Sequence, residues 1–168
     1  MKKKTISTEQ TRANINRLIA ILEDSPGWIE RLSHSLTDEQ LGQSLGQGER
    51  SFIEKLAHLV HSEARASEAI YLALLVDEPM LAQVHAERQW GNLLRFDLLP
   101  FAELLVYFKL RRTVLLRVLA GLDDGLWSRT VREAGKKRQE SVYWKARALA
   151  LHELEHLTDL EHKIVPKA

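Results

Sequence analysis

Residues 141–164 have the sequence SVYWKARALALHELEHLTDLEHKI, which predicts one long amphipathic helix. Its apolar residues recur at steps of three and four, the spacing of one face of an α-helix. His152 and His156 lie at the edge of that face, one helical turn apart. Both imidazoles can therefore bind one metal ion at an Nε2 distance of about 2.0–2.1 Å. This helix predicts a helix bundle with a metal site inside it.

Three earlier helices are predicted from their caps and their apolar spacing. The first opens near Ser7 and restarts at Ser25-Pro26, because proline fits the first turn of a helix. The predicted spans are residues 7–33, 51–76 and 100–122. A long irregular connection follows the third helix and holds a brief extended segment at residues 128–133. The expected fold is all-α: a four-helix bundle with a long connection between helices 3 and 4, in a single domain over residues 1–168.

The composition limits the kind of protein. With 168 residues, of which 45% are hydrophobic, the chain can bury about 70% of the surface of its unfolded form. A formal net charge of +1 gives no electrostatic attraction to nucleic acid or to an anionic membrane. The absence of cysteine excludes disulfides and thiolate ligands. We expect a cytoplasmic protein without a membrane span, because no signal-peptide pattern and no run of about 18 apolar residues is found.

A third ligand is expected from the second helix, which carries His58 and His61. Their spacing does not choose between them, and by patterning alone His58 lies opposite the apolar stripe and is expected to be exposed. Glu63 falls inside that stripe, and Glu153 lies near the middle of the apolar arc of the last helix. A buried carboxylate needs a partner or a metal nearby. No catalytic residue is assigned from the sequence, but Glu153 and Glu63 are the candidates for orienting a ligand or carrying a proton.

Two motifs of the chain point to a known family. Residues 51–63, SFIEKLAHLVHSE, place a histidine before an aliphatic residue on the second helix, and residues 151–157, LHELEHL, carry the histidine pair. Together with residues 100–122, these segments resemble the second, fourth and third helices of the DinB/YfiT-like superfamily of metalloenzymes. The resemblance covers most of the chain from about residue 38 onward.

This resemblance also implies ligands and a cofactor. The second-helix histidine of that family is its first ligand, so His58, rather than His61, would complete a triad with His152 and His156. The cofactor would be a divalent metal ion, and zinc, nickel and iron all accept imidazole ligands. Arg50 departs from the family, which often has tryptophan at that position. The remaining histidines are expected outside the site: His34, His61, His85 and His162.

Metal-dependent chemistry on a small molecule is the activity that the resemblance implies. Reported members include thiol-dependent transferases and isomerases. Thiol-dependent transfer, isomerisation and hydrolysis are therefore the candidate reactions, the expected enzyme is a hydrolase or a transferase, and a low-molecular-weight thiol is a candidate partner. The alternative is a non-catalytic stress-related or binding bundle whose metal is structural or absent. Three histidines leave coordination positions for other ligands, which favours the enzyme, since structural zinc is usually four-coordinate and closed.

The stretch from His152 to His156 also matches the HExxH signature of zincin proteases, and His162 falls six residues after His156, as in metzincins. The metzincin glycine between those two histidines is replaced by Asp159, so the helix continues and carries His162 about 120° away from His156. The few residues that follow leave no room for a Met-turn. A protease is therefore not the expected function.

A homodimer is expected as well. Family members often dimerise, and the helices carry more large apolar residues than one four-helix core needs. The residues concerned are Trp90, Trp127, Trp144 and Tyr107. At the surface they would form an apolar patch of the kind that marks an interface.

Overall fold

The computed structural model describes residues 6–164, which are mostly helical. The long helices are α1 (Arg12–Ser33), α3 (Phe52–Leu75), α5 (Phe101–Ala120) and α7 (Val142–Ile164). The shorter ones are α2 (Asp38–Gly42), α4 (Asn92–Leu94) and α6 (Asp124–Trp127), with a π-helical turn at Ala86–Gly91 and a 3₁₀ turn at Phe96–Leu98. Helices α1 and α3 each pack against both α5 and α7. None of the helices in the described range is both long enough and apolar enough to cross a membrane.

Local sequence sets where three of the long helices begin. Ser51 caps α3 with a capping box: its hydroxyl accepts a hydrogen bond from the Glu54 backbone N–H at 3.3 Å, and the Glu54 carboxylate accepts one from the Ser51 N–H at 2.7 Å. Helix α5 begins directly after Pro100, and α7 begins directly after Ser141. The starts predicted for the second, third and last helices are therefore confirmed.

The first helix differs from its prediction at its start and in its middle. Its N-cap is Thr11, whose hydroxyl accepts a hydrogen bond from the Asn14 N–H at 3.2 Å. Helix α1 then runs through Pro26 without the predicted restart. Proline has no N–H for the carbonyl one turn earlier, which belongs to Leu22, and Nη1 of Arg112 on α5 donates to that carbonyl instead. A side chain from a neighbouring helix thus supplies the hydrogen bond that Pro26 cannot make.

Two apolar clusters fill the space between the long helices, and charged side chains separate them. Along α5, Phe108 belongs to one cluster and Leu115 to the other, with the buried Arg112 between them. The same order holds along α3, where Glu63 lies between the clusters, and along α7, where Glu153 does. We refer to Glu63, Arg112 and Glu153 as the charged level. It divides the core into two apolar halves.

The all-α expectation omits a small sheet. Strands β1 (Met80–Leu81), β2 (Thr130–Glu133) and β3 (Gln139–Ser141) pair in that order, with β1 parallel to β2 and β2 antiparallel to β3. Strand β2 lies within the predicted extended segment, in the long connection between α5 and α7. Gly135 has a φ of +83° in the turn between β2 and β3, a conformation that glycine adopts without steric cost.

The large aromatic residues are distributed differently from the prediction of a surface patch. Trp127 is fully buried in one of the apolar clusters, so it is not available to a dimer interface. Trp90 and Trp144 are half-buried, and Tyr107 is 37% exposed. The exposed large aliphatic side chains of α5 are Val106, Leu110 and Val114.

Candidate metal centre

Three successive levels of contact join α3 to α7, which run antiparallel. The pairs are Lys55 with Asp159, His58 with His156, and Ser62 with His152. The closest atoms of these pairs are 2.8, 3.1 and 3.1 Å apart, in that order. On each helix the paired residues follow at steps of three or four, which places them on the one face that meets the other helix.

The three histidines of these levels bring their Nε2 atoms together. His58 Nε2 lies 2.9 Å from His152 Nε2 and 3.1 Å from His156 Nε2, and all three side chains are half-buried. Within residues 6–164 they form a group whose ligand atoms all lie within 4.8 Å of one another. The structure thus places side by side the three histidines that the family resemblance implied.

The nitrogen separations fit a metal ion bound by all three rings. Two nitrogens that are each about 2.05 Å from one ion lie about 2.9 Å apart at a bond angle of about 90° and about 3.3 Å apart at a tetrahedral angle. The observed 2.9 and 3.1 Å from His58 to the other two nitrogens fall in this range, so these two separations match those of nitrogens bound to one ion. Zinc, nickel and iron share imidazole as a ligand, so the donor set does not identify the ion.

Burial keeps one of these imidazoles neutral. Desolvation lowers the pKa of His156 to about 4, and the positive charges of neighbouring side chains, His152 first among them, act in the same direction. A metal ion binds the neutral imidazole. His156 is therefore in the form that binds metal throughout the physiological pH range.

The lowered pKa of His156 predicts a pH dependence of stability in the metal-free protein. In the unfolded chain this residue gains its proton near pH 6.5, whereas in the folded chain it does so only near pH 4. Between these values protons bind preferentially to the unfolded chain, so stability should fall as the pH falls. In thermal melts of the chelator-treated proteins, we compare the Tm of the wild type with that of His156→Gln. The difference, wild type minus variant, should decrease from pH 7 to pH 4. A difference that stays constant over this range contradicts the prediction.

The other histidines lie outside this group. His61, which spacing alone left as an alternative to His58, is buried and stacks on Phe96 with ring centroids 5.2 Å apart. The exposed histidines are His34, His85 and His162. The expectation that His58 is exposed was wrong, because the histidines of α7 cover it. The apolar stripe of α3 gives no sign that a neighbouring helix presents polar side chains.

The charged level adjoins the histidines, since Glu153 directly follows His152 in the chain. Arg112 Nη1 lies 3.0 Å from Glu153 Oε2, and Arg112 Nη2 lies 3.0 Å from Glu63 Oε2 and also binds Glu153 Oε1. All three side chains are at most 2% exposed. Arg111 Nε lies 3.6 Å from the second oxygen of Glu63. Both carboxylates that the sequence offered as catalytic candidates are thus ion-paired in the interior.

Sequence reasoning missed Arg112 as the partner of these carboxylates. Its position indicates burial, because Arg112 falls one turn after Phe108 and three residues before Leu115, in the middle of the apolar stripe of α5. A charge at a core position requires an opposite charge nearby. Glu63 and Glu153, the two interior carboxylates on other helices, likewise required a positive charge nearby.

Comparison with known proteins places the chain in a structural context. The family model of the DinB superfamily matches residues 9–160. Among solved structures, YfiT from Bacillus subtilis, described as a probable metal-dependent hydrolase with an unusual four-helix bundle topology, is similar with a TM-score of 0.81. The two share 17% sequence identity, and the match covers 93% of this chain and 90% of that one. No curated protein sequence matches the chain significantly. At this identity the likeness to YfiT shows the fold alone.

Proposed function

Because the chain belongs to the DinB superfamily, we propose that it is a metal-dependent hydrolase that acts on a small molecule. A divalent ion would be held by His58, His152 and His156. The observation that carries the proposal is the convergence of their Nε2 atoms, with separations of 2.9 and 3.1 Å from His58. The description of YfiT, which has a similar fold, supports hydrolysis as the reaction class.

The ligand set supports a reactive site over a structural one. Three imidazoles leave coordination positions to ligands from outside the chain, as catalytic zinc sites do. An ion bound there would supply Lewis acidity, the property by which metal ions activate water or a substrate. The role of the protein is to hold neutral imidazoles on two packed helices. The lowered pKa of His156 keeps that imidazole neutral.

Glu153 and Glu63 act as positioning residues in this proposal. Both oxygens of Glu153 accept hydrogen bonds from Arg112, so this ion pair fixes the turn of α7 that presents His152. Burial raises the pKa of Glu63 to about 7 although Arg112 opposes the shift, so Glu63 can hold a proton near neutral pH. Its side chain is 0% exposed, however, which keeps it from contact with a substrate.

Metal content and activity of the purified protein test the proposal. We expect about one divalent ion per chain, as a three-histidine site holds, and hydrolysis of at least one member of a panel of small esters, amides and thioesters. The chelated protein should regain this activity with zinc, nickel or iron. Electrophiles offered together with low-molecular-weight thiols test thiol-dependent transfer on the same samples.

Two outcomes would speak against a metal-dependent hydrolase. Failure to bind any of the three ions after chelation and reloading excludes the metal site. Global unfolding on chelation indicates a structural ion in a non-catalytic bundle, because the apolar core of the proposed enzyme should hold the fold without the ion.

We also propose that two copies of the chain pair through α5. Val106, Leu110 and Val114 are 56%, 62% and 45% exposed and follow one another at steps of four, which gives a continuous apolar face. Leu110→Glu should therefore convert a dimer to a monomer of 19.3 kDa in sedimentation experiments. Leu75→Glu, at an 80% exposed leucine on α3, is the matched control and should stay dimeric. A wild type that sediments as a monomer at micromolar concentration rules the dimer out.

A further inference from the structure

Ser62 lies beside the three histidines, in contact with one of their ring nitrogens. It lies one helical turn after His58 on α3, at the next level of contact with α7. Its Oγ is 3.1 Å from His152 Nε2, which is itself 2.9 Å from His58 Nε2. The side chain is half-buried, like those of the histidines. One hydroxyl oxygen and three ring nitrogens from two helices thus form a continuous series of close contacts, in the order Ser62, His152, His58 and His156.

We propose that Ser62 binds the ligand that enters the site from outside the chain, through a hydrogen bond from its hydroxyl. This proposal rests on the proposed function, because it takes the three Nε2 atoms as the metal ligands. A neutral imidazole has one lone pair, on the ring nitrogen that carries no proton. When an ion binds His152 Nε2, that nitrogen keeps neither a proton nor a lone pair for a hydrogen bond with Ser62. The hydroxyl is then a free donor beside the metal ligands.

The size and chemistry of serine suit this role. Zinc is bound in proteins by cysteine, histidine and carboxylate side chains. Any of these at position 62 would place a fourth protein ligand beside His152 Nε2, where it would compete with a ligand from outside the chain. Serine is short and uncharged, so it leaves that position open and still offers one donor. Serine at position 62 therefore keeps this position free for a ligand from outside the chain.

Cobalt(II) and azide test the proposal, because cobalt reports its ligands by absorption and azide both binds metals and accepts hydrogen bonds. The proteins are the full-length wild type, Ser62→Ala, Ser62→Cys and the control Ser67→Cys, which places a thiol on the same helix at a buried position. In Ser62→Ala we expect unchanged cobalt affinity and azide affinity weaker by about tenfold or more, the usual effect of losing a hydrogen bond to a charged group.

In Ser62→Cys the thiolate should become a fourth ligand. We expect a sulfur-to-cobalt charge-transfer band, cobalt affinity at least tenfold tighter, and a spectrum that azide no longer changes. Ser67→Cys should give none of these effects. Thermal melts of all four proteins show whether each variant is folded before its spectra are compared.

The outcomes separate this inference from the proposed function. A wild type that binds no cobalt overturns both. Normal cobalt binding in the wild type, together with unchanged azide affinity in Ser62→Ala or no charge-transfer band in folded Ser62→Cys, overturns the role of Ser62 and leaves the three-histidine site intact.

Discussion

Replacing His156 with alanine is expected to lower the affinity for a divalent ion by about a hundredfold or more. Structural zinc sites with four ligands bind with about 10–16 kcal/mol, so one ligand contributes roughly 3 kcal/mol, which is about a hundredfold in affinity. The remaining nitrogens, of His58 and His152, lie 2.9 Å apart and chelate an ion less well than three do. Hydrolytic activity should disappear with the metal. Isothermal titration with zinc and elemental analysis of the purified variant measure the loss.

The control for this variant lies on the same helix. His162 is exposed and outside the histidine group, so His162→Ala should bind metal as the wild type does. The fold of His156→Ala should persist, because its side chain is only half-buried and the apolar clusters do not include it. Full metal occupancy in His156→Ala would show that this residue is not a ligand.

Arg112→Met should destabilise the fold more than any of the histidine or serine substitutions. It leaves the buried carboxylates of Glu63 and Glu153 without their shared cation and the Leu22 carbonyl without its side-chain donor. Removal of one partner from a buried ion pair costs about 3–5 kcal/mol. For a chain of this size such a loss lowers Tm by roughly 6–20 °C. Chemical and thermal denaturation of the chelated proteins measure it, since bound metal would add its own stabilisation.

Two further variants show whether charge is the cause. Adding Glu63→Gln and Glu153→Gln to Arg112→Met removes the uncompensated carboxylates and should restore part of the stability, because the cost lies in the buried charges. Arg111→Met, at the neighbouring arginine that is 25% exposed and 3.6 Å from Glu63, should cost less than Arg112→Met. If Arg112→Met has the same Tm as the wild type, the ion pairs of the charged level contribute nothing to stability.

Much of the fold follows from local sequence, because helix ends and apolar faces are local properties. The side chains of Ser51 and Glu54 each accept a hydrogen bond from the other's backbone N–H within one turn, so the start of α3 was predictable. The start of α5 was predictable too, because Pro100 directly precedes it. The pair His152 and His156 was predictable for the same reason, since both residues belong to one helix.

The features that sequence reasoning missed depend on contacts between helices. Pro26 was expected to restart the first helix, but α1 runs through it. The carbonyl of Leu22, which proline leaves unpaired, accepts a hydrogen bond from Arg112. This residue is 90 positions away in the chain. The choice of His58 over His61 came from family resemblance, since periodicity describes only the helix on which a residue lies. The sheet contains strands of two to four residues, which are too short for an alternating pattern to stand out.

We expect Arg112 to make the two halves of the core unfold as one cooperative unit. From α5 it binds the backbone of α1 and carboxylates of α3 and α7, at the level that divides the two apolar clusters. Unfolding of either half by itself would separate Arg112 from at least one of these partners and leave an unpaired charge in the interior. Amides at both ends of the bundle should therefore exchange with deuterium through the same global unfolding event. Without the guanidinium, the two ends would be free to open independently, and their exchange free energies would diverge.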